Sequence, residues 1–252
     1  MQTWQKLIEI RKQRSAGYIV LIDPDKKPLE KSVQFAAKAE KEDADCIFIG
    51  GSLLSTSIYD ELVKQIKNAV KIPVISFPGG VQQISRYADA ILFMSVISGR
   101  NPDLLIGQHV LGAPIVKQFN LEAIPTAYML IESGKVTSAE FMSNTKPIPR
   151  DKSDIAVAHA LAAEYLGMKL IYLEAGSGAQ EAVPDEMVKA VSEECTVPII
   201  VGGGIRNPQT ARRKVENGAS IIVTGNFFED ENNWDLIKEF ANAVHHKLPV
   251  EV

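Results

Sequence analysis

The chain has 252 residues, 46% of them hydrophobic and 23% charged, with a formal net charge of −4. Such a length is ordinary for one α/β barrel, and the apolar fraction suffices for a large buried core. The acidic balance excludes nucleic acid as a main partner, because a polyanion needs a broad basic surface. A small anion stays open, since a local cation or a ring of backbone N–H groups can hold it.

The first stretch, MQTWQKLIEIRKQR, places Trp4, Leu7 and Ile8 on one helical face. It has neither a long apolar centre nor a cleavage-like end, so it reads as a capping helix and not as a signal peptide. No run of about 18 apolar residues follows, so no membrane-spanning segment is expected, and the expected location is the cytoplasm. Two cysteines occur, Cys46 and Cys195, without a CxxC pattern or nearby histidines. Cys46 lies in the apolar run DCIFI and reads as a small core residue; neither a disulfide nor a zinc site is expected.

From residue 18 onward short β-branched runs alternate with longer amphipathic stretches. The runs are YIVLI (18–22), CIFIG (46–50), PVISF (73–77), AILFM (90–94), EAIPTAYMLI (122–131), KLIYL (169–173), PIIVG (198–202) and SIIVT (220–224). Continuous hydrophobicity of this kind fits strands covered on both faces, as in parallel sheets. Helical patterns occupy 28–42, 57–70, 153–167 and 207–218. Eight such units predict a single-domain (β/α)8 TIM barrel over 1–252, with a doubly wound open sheet as the other arrangement. In the irregular fifth unit SGKVTSAEF (133–141) reads as a hairpin return, followed by a polar loop, NTKPIPRDKSD.

An active site in this fold sits at the C-terminal strand ends. Those ends read Asp23-Pro24-Asp25-Lys26, Gly50-Gly51-Ser52, Pro78-Gly79-Gly80, Glu174-Ala175-Gly176-Ser177-Gly178, Gly202-Gly203-Gly204 and Thr224-Gly225-Asn226. Glycine-rich loops after the seventh and eighth strands, with Asn207 as N-cap and Pro208 opening a helix, suit a phosphate held by backbone N–H groups. Asp23 reads as a general base, a magnesium ligand or a turn cap. With Ser52 beside it, it suits a magnesium ion bridging to a substrate phosphate. The four histidines, His109, His159, His245 and His246, fall in helical patterns away from strand ends and read as surface or packing residues. Ser177 therefore has no histidine to activate it, which speaks against a hydrolase triad.

Taken in order, LIDPDK, FIGGS, FPGG, KPIPRDK, YLEAGSGA, VGGGIR and VTGN resemble the motifs of the geranylgeranylglyceryl phosphate synthases, relatives of heptaprenylglyceryl phosphate synthase. The likeness runs from residue 18 to about 230, and YLEAGSGA and KPIPRDK are similar to the family's second group, of archaeal and some bacterial members. Heptaprenyl-using relatives carry a lysine two residues before the first aspartate; here that residue is Leu21.

The resemblance implies transfer of a geranylgeranyl group from its diphosphate to the 3-hydroxyl of sn-glycerol 1-phosphate, with Mg2+ as cofactor. It also implies a homo-oligomer, a hexamer in this group, with a peripheral membrane contact for the lipid product as a further expectation. Carried over, Asp23 and Ser52 would hold the metal. Tyr172, Leu173, Glu174, Ala175, Gly176, Ser177 and Gly178, with Gly203, Gly204, Gly225 and Asn226, would bind glycerol 1-phosphate.

In that chemistry Glu174 is the candidate base for the attacking hydroxyl, and its charge would help stabilise an allylic cation. Tyr128 and the 104–110 stretch are trench lining or core, with no role assigned. A sugar-phosphate isomerase on the same barrel is the enzymatic alternative, but it would need a second acid or thiol across the mouth. A prenyl donor of another length and a phosphometabolite-binding barrel without catalysis are the others.

Overall fold

In the computed structural model, which describes residues 2–245, eight parallel strands close into a barrel. They are β1 (Gly17–Ile22), β2 (Cys46–Ile49), β3 (Val74–Ser76), β4 (Ala90–Val96), β5 (Glu122–Leu130), β6 (Leu170–Glu174), β7 (Ile199–Gly202) and β8 (Ile221–Thr224), with β8 paired back onto β1. Around them run α1 (Thr3–Arg14), α2 (Leu29–Lys41), α3 (Tyr59–Ala69), α4 (Gln108–Gln118), α5 (Ser138–Ser143), α6 (Ser153–Tyr165), α7 (Asp185–Glu194), α8 (Pro208–Glu216) and α9 (Ile237–Val244). The (β/α)8 expectation holds. His246 lies outside the described residues.

Strand alternation divides the apolar residues between two cores. Ile19, Cys46, Phe48, Ile75, Leu92, Tyr128, Leu170, Tyr172, Ile200 and Val223 fill the barrel. Their neighbours Tyr18, Val20, Ile47, Ile49, Ile171, Leu173, Val201 and Ile222 face the helices. The inward series on β1, Ile19 and Leu21, continues to Asp23, and that on β6, Leu170 and Tyr172, continues to Glu174. The pleat thus aims both carboxylates at the barrel mouth.

α1 closes the opposite end. The Glu122 carboxylate accepts the N–H groups of Thr3 (2.5 Å) and Trp4 (3.2 Å), satisfying two free donors at the helix start. Leu7, Trp4 and Ile10 pack on the barrel core; Ile10, three residues beyond Leu7 on the same face, joins it in the place expected for Ile8.

Two units depart from the simple repeat. Between β3 and β4 the sequence FPGGVQQIS leaves room only for a 3-10 turn (Val81–Gln83), so the helix layer is open there. In the fifth unit the expected hairpin return is instead α5: the Thr137 side chain accepts the Glu140 N–H at 3.3 Å, and this N-cap wins over strand pairing. A bridge from Ile131 to Ile148 then ties the polar loop to the end of β5.

Candidate active site

Two cavities open at the C-terminal rim. One, of about 370 Å³, is the more polar of the two and lies over β1, β6, β7 and β8; Asp23, Ser52, Tyr172, Glu174, Gly176, Ser177, Gly178, Gly203, Gly204, Gly225 and Asn226 all line it. Of the residues expected at the glycerol phosphate, only Leu173 and Ala175 do not. Both are buried on the outward side of the pleat, in the core beneath the helices.

The loops after β7 and β8 bring glycine backbone to the cavity wall. Gly203 and Gly204 have φ of +78° and +69°, a backbone that only glycine adopts without strain. A Cβ on Gly203 would fall 2.4 Å from Glu174 Oε1 and 2.7 Å from Gly176 N. The N–H groups of Gly203, Gly204, Gly225 and Asn226 have no acceptor among the described residues. Four such donors on residues lining one cavity suit a phosphate. As expected, Asn207 caps α8, its side chain accepting from Thr210 N at 2.8 Å, with Pro208 next in the helix.

The loop after β6 is tied to the loop after β8. Asn226 Oδ1 accepts both the Ser177 hydroxyl and the Gly178 N–H at 3.0 Å, while its amide nitrogen donates to Glu229 at 2.6 Å. Ser177 and Gly178 therefore latch two loops together at the cavity wall, and the Gly176 N–H donates to Glu174. Arg206, in VGGGIR, donates to the carbonyls of Ala179 and Gln180 and ties the same loop to the one after β7.

Glu174 is buried, and one carboxylate oxygen accepts the Gly176 N–H at 2.7 Å. Burial pushes its pKa up to about 7, against the opposing pull of Gly176 and Tyr172. The Tyr172 hydroxyl and Glu174 Oε2 flank Gly202, at 2.5 and 2.8 Å from where a Cβ would stand, so only glycine fits between them. The Tyr172 hydroxyl is buried without an aligned partner. Tyr172 belongs to an aromatic floor, with ring centroids 5.5 Å from Tyr128 and 5.5 Å from Phe77.

A second cavity, of about 400 Å³, runs from this floor through the gap in the helix layer, between the 3-10 turn and α4. Val81, Ile84, Phe93, Met94 and Leu104 make it largely apolar, and it shares Gly51, Ser52, Leu53, Phe77, Tyr128 and Ala139 with the first. Tyr128 and Leu104 of the 104–110 stretch are thus lining residues, and His109 packs edge-on against Phe93 at 4.7 Å.

A family model described as "PcrB family" matches residues 8–244. The chain belongs to the PcrB family. It is 49% identical to a geranylgeranylglyceryl phosphate synthase of Chitinophaga pinensis, over 98% of this chain and 97% of that one. The namesake from Pyrococcus horikoshii is 42% identical over 96% and 95%. Among solved structures, (S)-3-O-geranylgeranylglyceryl phosphate synthase from Thermoplasma acidophilum, in complex with substrate sn-glycerol-1-phosphate, superposes with a TM-score of 0.90. It is 34% identical, over 97% of this chain and 99% of that one.

In this PcrB-family chain no cluster of three or more His, Cys, Asp or Glu side chains among the described residues makes a metal cage. Asp23 with Ser52 does fit magnesium, which commonly takes one or two protein oxygens and completes its shell with water and phosphates. Asp23 is half-buried, and burial raises its pKa despite the Asp25 N–H and nearby Lys26, so a cation would relieve it. Its Oδ1 also accepts Asp25 N at 2.9 Å, so the turn-cap role is real and compatible with ligation by Oδ2. Asp25 also lines the cavity, but its two oxygens are taken by Ser55 N (2.7 Å) and Thr56 N (2.9 Å).

Proposed function

We propose that the protein is a magnesium-dependent geranylgeranylglyceryl phosphate synthase, serving ether-lipid synthesis. The observation that carries this reading is the junction of the two cavities. The more polar one, lined by Asp23 and Glu174 and with four free N–H groups for a phosphate, shares Ser52, Phe77 and Tyr128 with a more apolar one suited to a hydrocarbon chain. Relatives named for this activity, and a neighbour holding sn-glycerol-1-phosphate, support the assignment.

In this reading the cradle of Gly203, Gly204, Gly225 and Asn226 anchors the phosphate and points the far hydroxyl toward Glu174. The carboxylate, with a pKa raised to about 7, takes the hydroxyl proton as the oxygen bonds the allylic carbon and the carbon–diphosphate bond breaks. The products are the ether and diphosphate. The faces of Phe77, Tyr128 and Tyr172 shield the positive charge that develops on the allyl group. Magnesium, when held by Asp23 and Ser52, would neutralise charge on the leaving diphosphate. Leu21 packs under Gly225, 3.3 Å from where its Cβ would be, which leaves no cation at that point of the cradle. The exposed Ile106 just before α4, Val110 and Leu111 on α4, and Phe141 of α5 support a homo-oligomer, with a hexamer as the form the resemblance implies.

A sugar-phosphate isomerase is less well supported: the acids lining the polar cavity are Asp23, Asp25, Glu174 and Glu229, with no acid or thiol from β5. By isothermal titration, sn-glycerol 1-phosphate is expected to bind at least ~10-fold more tightly than its sn-3 enantiomer, since a site that fixes a hydroxyl rejects the misplaced one. Equal or reversed preference would overturn the substrate assignment.

A further inference from the structure

The third unit has no helix, so no helix N-terminus faces the end of β3. Gln83, the last residue of the 3-10 turn there, is fully buried (0% exposed). Its Oε1 accepts the N–H groups of Gly51 (3.1 Å) and Gly79 (3.2 Å), and its Nε2 donates to the Gly51 carbonyl (2.8 Å). One side chain thus takes both backbone groups of Gly51. The two loops meet backbone to backbone around it: a Cβ on Gly79 would stand 2.3 Å from Gly51 O.

A trans peptide carries its C=O and N–H on opposite sides. With the Gly51 carbonyl turned onto Gln83, the N–H of Ser52 faces the other way, and it has no acceptor among the described residues. Ser52 lines both cavities at their junction. We propose that Gln83 is a positioning residue for prenyl transfer, fixing the Gly51–Ser52 peptide so that the Ser52 N–H is offered to the diphosphate of the prenyl donor. A buried glutamine satisfied wholly by two glycine loops does for this rim what a helix N-terminus does elsewhere in such barrels: it holds a backbone donor in place for an anion. The inference rests on the proposed reaction.

The test begins with the wild-type protein, titrated with inorganic diphosphate in magnesium chloride and followed by amide NMR. The Ser52 amide proton should move downfield and saturate; no movement overturns the proposal. Gln83→Met then keeps the side chain's length and removes its three hydrogen bonds. Its KM for geranylgeranyl diphosphate should rise at least ~10-fold, the scale of one charge-assisted hydrogen bond. Its Kd for sn-glycerol 1-phosphate should stay within about 2-fold, because the cradle is a separate site. An unchanged KM, or equal losses for both ligands as a merely structural role would give, overturns it. If Gln83→Met does not fold, the wild-type titration decides. Absence of product from the wild type with both substrates would sink the parent reaction, while the Ser52 shift stays readable.

Discussion

Glu174→Gln is expected to lower turnover at least ~100-fold while leaving sn-glycerol 1-phosphate binding nearly intact. The substitution keeps the shape and the acceptor for Gly176 N–H, so the loop after β6 and the Gly203 backbone beside it should not move. What it removes is the proton acceptor. Wild-type activity should accordingly fall as pH drops through about 7, where the carboxylate gains its proton. The same shift has a stability consequence of defined sign. Glu174 titrates higher folded than unfolded, so the folded state is not penalised below the unfolded value of 4.5, loses stability as pH rises from there, and carries the full penalty above about 7. A rise from 4.5 to about 7 corresponds to a cost on the order of 3 kcal/mol at alkaline pH. Glu174→Gln should therefore raise Tm at pH 8.5 and leave it nearly unchanged at pH 4. Unaffected turnover would show that Glu174 is not the base, and a pH-independent Tm difference would show that burial does not set its pKa.

Asp23→Asn is expected to reduce turnover by ~100- to 1,000-fold, the loss typical of removing one electrostatic stabiliser of a developing anion. Oδ1 has an isosteric replacement able to accept Asp25 N, so the turn should survive. Burial already disfavours the Asp23 charge, so the variant without metal should be as stable as the wild type or slightly more so at neutral pH. Chelating magnesium from the wild type should match the loss, and chelation should then add little to the variant. Retention of magnesium-dependent turnover by Asp23→Asn would place the metal elsewhere.

The barrel was legible because eight continuous apolar runs can be buried only by a sheet covered on both faces, and the observed strands fall within or beside those runs. Period-two alternation also reaches the site. Counting inward from Ile19 and Leu170 lands on Asp23 and Glu174, and the same count turns the side chains of Leu173 and Ala175 outward. The α5 signal was present in Thr137 and Glu140, spaced three apart as a capping pair, yet the β-branched residues around them read as strand.

Other features have no local signature. Gln83 bonds a glycine 32 residues away, and Asn226 one 48 residues away, so their roles follow only from which strand ends the closed barrel brings together. Arg206 likewise meets carbonyls 26 and 27 residues earlier. The apolar cavity depends on a helix that the third unit lacks, and a short FPGGVQQIS linker shows the gap without showing what it opens onto.

The most direct test is to supply the protein with radiolabelled sn-glycerol 1-phosphate, magnesium and prenyl diphosphates of several lengths, then extract with organic solvent. The account predicts label in the organic phase, greatest with geranylgeranyl diphosphate. Label that stays in water with every chain length would contradict it.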